Sequence, residues 1–354
     1  MIVEIPTPDP GGSASVSAYR VDLDQKGERH VTIARAVTVL TALAALLLPG
    51  AAPVHAQERY PSQPVTLIVP FAAGGGTDLV ARAFAEGLKR ELGQPVTVQN
   101  LPGAGSAIGT TKLHGARPDG YTLGMTGGFL VTTSLRGAAK FPATDFSHLA
   151  RVSLETFVLA VPAASPYKSL REYLEAARKA PGSISIGTAG AGALTHLAAE
   201  ALAQRAGARL NVVHFGGGAK EITALLGAHV QSGVFSQVEV LPHAAAAGGV
   251  RILATFGETR SDKLPEAPTL KEQGVDGVPA GPWQGIAAPR GLPEPVKAAL
   301  IAAITRAAQD AAWKTFLQQN GLAASFLTGP PLDAFLAAEI ESLGALIKSA
   351  GLGQ

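Results

Sequence analysis

Apolar positions along the chain switch between two periods, and the switch recurs. Val65-Thr66-Leu67-Ile68-Val69 is a short run of mostly β-branched residues, which reads as a buried strand. From Asp78 onward Val80, Phe84 and Leu88 fall on one helical stripe, with the helix opening at Thr77 or Asp78. Between the two lies Pro-Phe-Ala-Ala-Gly-Gly-Gly, so the unit is strand, glycine turn, helix. Val96 to Val98 leads into Pro102-Gly103-Ala104-Gly105-Ser106-Ala107-Ile108-Gly109. Ile184 to Ile186 leads into Gly187-Thr188-Ala189-Gly190-Ala191-Gly192 and a helix over 194–206. Val212 to Phe215 feeds Gly216-Gly217-Gly218, a helix bearing Ile222, Leu225 and Leu226, and Gly227 at its end. Within each pair the turns lie about thirty residues apart, the length of one βαβ step. Two lobes follow, each aiming two helix N-termini at a shared cleft.

The remaining pattern fills in this α/β plan. Strands are predicted over 120–126, over Phe157 to Val161, over Val230 to Ser236, over Arg251 to Phe256 and over Trp283 to Ala288. Ser169 caps a helix that runs to Lys179, and Pro242 to Gly249 reads as an alanine-rich helical turn. Two long helices, Pro293 to Gln319 and Pro331 to Ala350, close the chain, the second with Phe335, Ile340, Leu343 and Ile347 on the side that packs on the first lobe. The domain reading is 1–56 as N-terminal extension and signal peptide, 57–158 plus 283–354 as lobe 1, and 159–282 as lobe 2.

The signal peptide rests on 35–57: Arg35, an apolar run from Ala36 to Leu48, a Pro-Gly break, and Val54-His55-Ala56 before Gln57. The run is about thirteen residues, short of the roughly twenty that cross a bilayer core. Cleavage is expected after Ala56, giving a periplasmic protein. Residues 1–30 are polar, which is unusual ahead of such a run, and translation is expected to begin nearer Val21 or Val31.

Composition narrows the function. Of 354 residues, 47% are hydrophobic and 16% charged, so the chain buries a large core. A formal charge of +2 without basic runs gives no footprint for nucleic acid, and the absence of cysteine removes disulfides and thiolate catalysis. None of the eight histidines has metal-motif spacing, so no metal and no cofactor are expected; His196 and Asp78 read as mainly structural. Ser106 lacks the spacing of a nucleophile elbow, and Gly-Gly-Gly-Thr-Asp is not a phosphate loop. The only basic residue in the four turns is Lys220, so the turns are built to hold something through backbone N–H groups at helix N-termini, a setting that suits a carboxylate. No catalytic residue is assigned. A secreted enzyme on the same turns and a ligand-sensing module for a membrane signalling partner remain as alternatives.

Six stretches in order, PFAAGGGTDLVAR, PGAGSAIG, GTAGAGALTHLAAE, FGGGAKEITALLGAHV, RILATFGETRSDKLPEAPTLKEQG and WQGIAAPRGLPEPV, resemble the solute-binding proteins of tripartite tricarboxylate transporters, also called Bordetella uptake proteins, over residues 60 to 350. The resemblance implies a type II periplasmic-binding-protein fold, each lobe a mixed, mostly parallel sheet flanked by helices, closing about a two-stranded hinge. It implies capture of a small mono-, di- or tricarboxylate for membrane permease subunits. The ligand-binding residues it implies are Phe71, Ala72, Gly75, Gly76 and Thr77 in the first turn, Ser106 and Ala107 in the second, and Thr126. In the other lobe they are Thr188, Ala189, Thr195, Phe215, Gly216 and Gly217. Three positions depart from the family pattern: Ser106 stands where glycine is common and adds a hydroxyl beside the ligand, Gly216 replaces a basic residue, and Gln231 replaces an aspartate. That last loss counts against an amino-bearing ligand if the aspartate is the group that pairs with it.

Overall fold

The structure, a computed structural model, describes residues 3–7, 15–19, 60–244, 248–349 and 351. The signal stretch, its cleavage site and the expected start positions Val21 and Val31 lie outside these residues. The chain divides at Glu58 into two compact units. In the first, β1 (Val3–Thr7) and β2 (Ser15–Tyr19) pair antiparallel, Val3 opposite Tyr19.

The second unit opens with β3 (Val65–Val69), α1 (Gly76–Leu92), β4 (Val96–Asn100), α2 (Ala107–His114), β5 (Thr122–Thr126), α3 (Gly128–Leu135) and β6 (Phe146–Leu154). It continues with β7 (Phe157–Pro162), α4 (Leu170–Lys179), β8 (Ser185–Thr188), α5 (Leu194–Arg205), β9 (Asn211–His214), α6 (Gly218–Leu226), β10 (Ser232–Ser236), α7 (Gln237–Ala244) and β11 (Val250–Thr255). It ends with β12 (Trp283–Pro289), α8 (Glu294–Gln309), α9 (Ala311–Asn320), β13 (Ala323–Leu327) and α10 (Pro330–Ser349).

Two sheets result. Lobe 1 carries six strands in the order β13-β6-β12-β5-β3-β4, and lobe 2 five in the order β11-β7-β10-β8-β9. In each, the strands that precede glycine turns run parallel (β3 with β4 and β5, β8 with β9 and β10), while β12, β6, β13, β7 and β11 add antiparallel ladders. Apart from the half-buried Thr66, β3 is apolar, because both of its faces are covered. Val65, Leu67 and Val69 pack with Val80, Phe84 and Leu88 of α1 and with Leu300 and Ile304 of α8, whereas Ile68 joins Leu113 and Phe129 on the opposite face.

Local signals account for most element ends. Ser169 Oγ accepts the Glu172 N–H at 3.2 Å and starts α4, and Gly93 (φ 66) ends α1 with its N–H on the Lys89 carbonyl. The single helix expected over 293–319 is two. The chain breaks at Asp310 (φ −59, ψ 138), whose carboxylate caps α9 through Ala312 and Trp313 and meets Arg90 at 2.7 Å. α7 runs over 237–244 with Pro242 inside it, earlier than the turn expected at Pro242 to Gly249. β6, β13 and α3 are elements the pattern did not predict. On α10 the buried residues are Leu332, Leu336, Leu343 and Ile347, and the helix lies against α3 and β6.

The lobes are joined where Leu154 passes through Glu155 and Thr156 to Phe157, and where the chain returns from β11 to Trp283. The two crossings bond to each other: Glu155 N–H to Pro282 O and Phe157 N–H to Ala280 O, both 2.8 Å.

Candidate functional site

The four glycine turns meet in pairs across the gap between the lobes. The first faces the fourth: a Cβ on Gly217 (φ 126) would lie 3.3 Å from both the nitrogen and the Cβ of Ala72. The second faces the third, where a Cβ on Gly105 (φ 63) would come to 2.6 Å from the Ala191 carbonyl oxygen. Both glycines are required twice over, by a backbone conformation that side chains rarely adopt and by the approach of the other lobe.

The first turn is shaped by Asp78. Its carboxylate accepts the Gly74 N–H at 2.8 Å, Arg82 at 2.9 Å and Asn100 Nδ2 at 2.9 Å, and Asn100 also holds the Phe71 carbonyl. Burial pushes its pKa up, but the bonds from Arg82, Gly74 and Asn100 prevail and hold it below the ordinary carboxylate range. The next amides of the turn have acceptors as well. Gly75 N–H points to Ala72 O at 3.4 Å, and Gly76 N–H donates to Glu239 Oε1 at 2.7 Å. Glu239 belongs to α7 of lobe 2, and its Oε2 accepts the Ser236 N–H at 3.1 Å. A carboxylate therefore does sit on the N-terminus of α1, and it is the protein's own. Gly75 has an ordinary φ of −79, so space and not backbone strain sets what can stand there.

Two adjoining cavities occupy the cleft. The inner one, of 60 Å³, is walled by Phe71, Gly75, Gly76 and Thr77 from lobe 1, by Ala189 and Thr195 from lobe 2, and at its floor by Gln284 and Glu239. Gln284 is 1% exposed; its Nε2 donates to Thr77 Oγ1 at 3.2 Å and to Glu155 Oε1 at 3.0 Å, and its Oε1 has no donor. Glu155, in the crossing, is 6% exposed, and its Oε2 also lacks a partner. Burial, reinforced by the charge of Glu239, lifts the Glu155 carboxyl to about 7 against the pull of Gln284 and Ser236. Burial likewise raises Glu239, and burial together with Glu239 raises Glu221, which projects from α6 against Gly187 and Gly233.

The outer cavity, of 410 Å³, shares Phe71 and Ala189 with the inner one; the adjoining pair is called the slot below. Gly103 to Ser106 line it from lobe 1, and Gly190, Phe215 and Gly216 from lobe 2. Arg136, just beyond α3, stands in its wall, and its guanidinium packs so closely on the third turn that a Cβ on Gly192 would fall inside it. A basic side chain from outside the four turns thus reaches the cleft, while Lys220 is exposed and lines neither cavity.

The sequence-derived residues divide accordingly. Phe71, Gly75, Gly76, Thr77, Ala189 and Thr195 line the inner cavity; Ser106, Phe215 and Gly216 line the outer one. Ala72 and Gly217 form the lobe contact described above. The Ser106 hydroxyl is tied to Thr133 at 2.8 Å, and the residue is 1% exposed. Ala107, Thr126 and Thr188 are buried and line neither cavity: Thr126 lies opposite Gly285 in the sheet, and Thr188 Oγ1 meets His214 Nδ1 at 2.9 Å. His196 accepts the Gly192 N–H on Nδ1 at 3.0 Å, which leaves its proton on Nε2, toward Glu200. Gln231 is exposed and holds the Ser185 N–H, away from the cleft. Residues that the pattern missed include Phe129, Phe157, Arg136, Glu239 and Gln284. Glu239 carried one usable signal, a lone acid between Val238 and Val240 in an apolar run.

Residues 80–352 match the family described as "Tripartite tricarboxylate transporter family receptor". The UPF0065 protein in the gbd 5' region of Cupriavidus necator is 32% identical over 92% of this chain and 99% of its own, and Protein BugT of Bordetella pertussis is 32% identical over 85% and 93%. Among solved structures, the periplasmic binding protein BugD is 31% identical, covers 83% of this chain and 99% of its own, and superimposes with a TM-score of 0.78. MatC of Rhodopseudomonas palustris, solved with malate, gives 28% identity, 81% and 100% coverage and a TM-score of 0.75; a second R. palustris protein, solved with adipate, gives 27%, 82% and 98%, and 0.78. The chain belongs to the tripartite tricarboxylate transporter receptor family.

Proposed function

We propose that this protein is an extracytoplasmic solute-binding protein, exported to the periplasm by a cleaved signal peptide. It captures a small carboxylated metabolite between its lobes and delivers it to the membrane permease subunits of a tripartite tricarboxylate transporter. The observation that carries this reading is the slot itself. It is walled by glycine turns from both lobes and exists only where they meet, so a ligand there ties the lobes together. The relatives solved with malate and adipate support the ligand class. The carboxylate belongs at the outer end, where Arg136 offers a planar, permanently charged partner beside the second turn. Closure about the two crossings expels water and strengthens that pairing.

A thermal-shift screen of mono-, di- and tricarboxylates, malate and adipate included, tests the reading. At least one should stabilise the protein by RT ln(1 + [L]/Kd), about 2.7 kcal/mol at a hundredfold excess over Kd. A flat response across the whole panel would overturn it.

A further inference from the structure

Carboxylate capture leaves a group of buried acids at the floor of the slot without a role. Glu155 lies in one crossing between the lobes and accepts Gln284 Nε2, on β12 just past the other crossing, at 3.0 Å. Glu239, on α7 of lobe 2, stands in the wall of the inner cavity and accepts the Gly76 N–H of lobe 1 at 2.7 Å. Its carboxylate is wedged between two helix N-termini: a Cβ on Gly218 would fall inside it, and one on Gly75 would lie 3.4 Å from Oε1. Ser236 joins the two acids, its N–H donating to Glu239 at 3.1 Å and its hydroxyl to Glu155. Glu221, 0% exposed on α6, lies within reach of the charge of Glu239. Among the described residues no basic side chain is paired with any of the three.

The burial of Glu239 depends on the lobes meeting, because its inner-cavity neighbours Gly75, Gly76 and Thr77 belong to lobe 1. Parting the lobes admits water to it and, past Gln284, to Glu155. We propose that closure of the lobes takes up a proton, shared by Glu155 and Glu239, and that this pair is a pH-sensitive lock on the closed state. Two ionised carboxylates linked through one serine repel each other where water is excluded, whereas a proton between them removes the repulsion and supplies a donor. Opening hydrates both and releases the proton. Glu221 packs against Gly187 and Gly233 of its own lobe and stays buried in either state. The inference concerns closure alone and does not depend on which ligand the slot takes.

In the closed form the Glu155 carboxyl titrates at about 7 against an ordinary 4.5, so closure binds a proton between these values. The closed form is favoured in full below 4.5, loses ground by up to about tenfold per pH unit as pH rises to about 7, and is level above that. The charged and titratable groups on the elements around the pair are Asp78 and Arg82 on α1, Lys220 and Glu221 on α6, His243 on α7, Arg151 on β6 and Glu339 on α10. Asp78 is paired with Arg82, and Glu339 is tied to Trp283. At the outer end His196 and His214 lie near Arg136 and titrate with the opposite sign, so the effect is read against a variant that lacks only the Glu155 acid.

Two cysteines introduced into a chain that has none, Lys112→Cys on α2 and Lys220→Cys on α6, place spin labels on opposite lobes. Double electron–electron resonance on the exported, ligand-free protein then gives the ratio of closed to open forms over roughly pH 5 to 8. The parent's ratio divided by that of Glu155→Gln should fall by roughly tenfold or more between about pH 5 and 7 and stay level above. Glu239→Gln, which keeps an acceptor for the Gly76 N–H, should bring the level stretch to lower pH, because the charge that helps to raise Glu155 is gone. A quotient that does not change with pH overturns the proposal, and so does a Glu239→Gln variant that titrates like the parent. Either result leaves the carboxylate reading standing, since that is judged by the ligand screen.

Discussion

Glu155 illustrates how a buried charge sets stability at the scale of one residue. Its folded carboxyl titrates at about 7 against an ordinary 4.5, so between those values the folded protein holds a proton that the unfolded chain gives up. Its contribution to stability is present below 4.5 and declines as pH rises to about 7. Glu155→Gln should therefore stabilise the protein increasingly over this window, by on the order of 1 to 3 kcal/mol at the upper end in urea unfolding; a difference that does not change with pH would refute the assignment. His196 has the opposite sign. Burial, then His214 and Arg136, depress it from 6.5 to about 4, so its neutral form stabilises the fold above 6.5 and stability falls as pH drops toward 4. Neither environment could be read from sequence, because both are set by neighbours distant in the chain. The same holds for Arg136, which in one dimension looks like an ordinary surface charge, whereas Glu239 carried only its place as a lone acid in an apolar run. Phe71 and Gly75 to Thr77 were legible because turn chemistry is local.

Among elements, helices with both a polar face and a glycine or side-chain boundary were legible, and those without a polar face were not, whatever bounded them. α3 reads Gly-Phe-Leu-Val-Thr-Thr-Ser-Leu and is buried on most sides, so no stripe marks it, yet it ends beside the arginine that reaches the cleft. The break at Asp310 was hidden within a continuous helical pattern. Asp310→Ala should cost about 1 kcal/mol through loss of the α9 cap, measured by urea unfolding. The second turn permits a cleaner comparison. Gly105 and Gly93 have nearly the same φ, 63 and 66, but a Cβ on Gly93 meets nothing within 4 Å, whereas one on Gly105 strikes the Ala191 carbonyl of the other lobe. Both alanine variants should lose about 1 to 2 kcal/mol of stability from left-handed strain. Gly105→Ala alone should also weaken ligand binding, because its clash arises only when the lobes meet; equal affinities would show that the second turn takes no part in closure.

For the whole molecule, the two-lobed α/β plan was carried by repetition: four strand-turn-helix units predict parallel strands whose helix N-termini converge. The antiparallel additions β6 and β13 were not predicted, since their role is to complete a sheet that the chain re-enters from afar. Export should leave a species beginning at or near Gln57, read by intact mass; a product that keeps the apolar run 36–48 would contradict cleavage. The central claim, that the slot between the lobes is where the carboxylate sits, is tested most directly at Arg136. In calorimetric titration with whichever carboxylate stabilises the parent most, Arg136→Gln should weaken binding by roughly tenfold or more while the variant remains folded by circular dichroism. A folded variant that binds with the parent's affinity would place the carboxylate elsewhere and remove the cleft from the account.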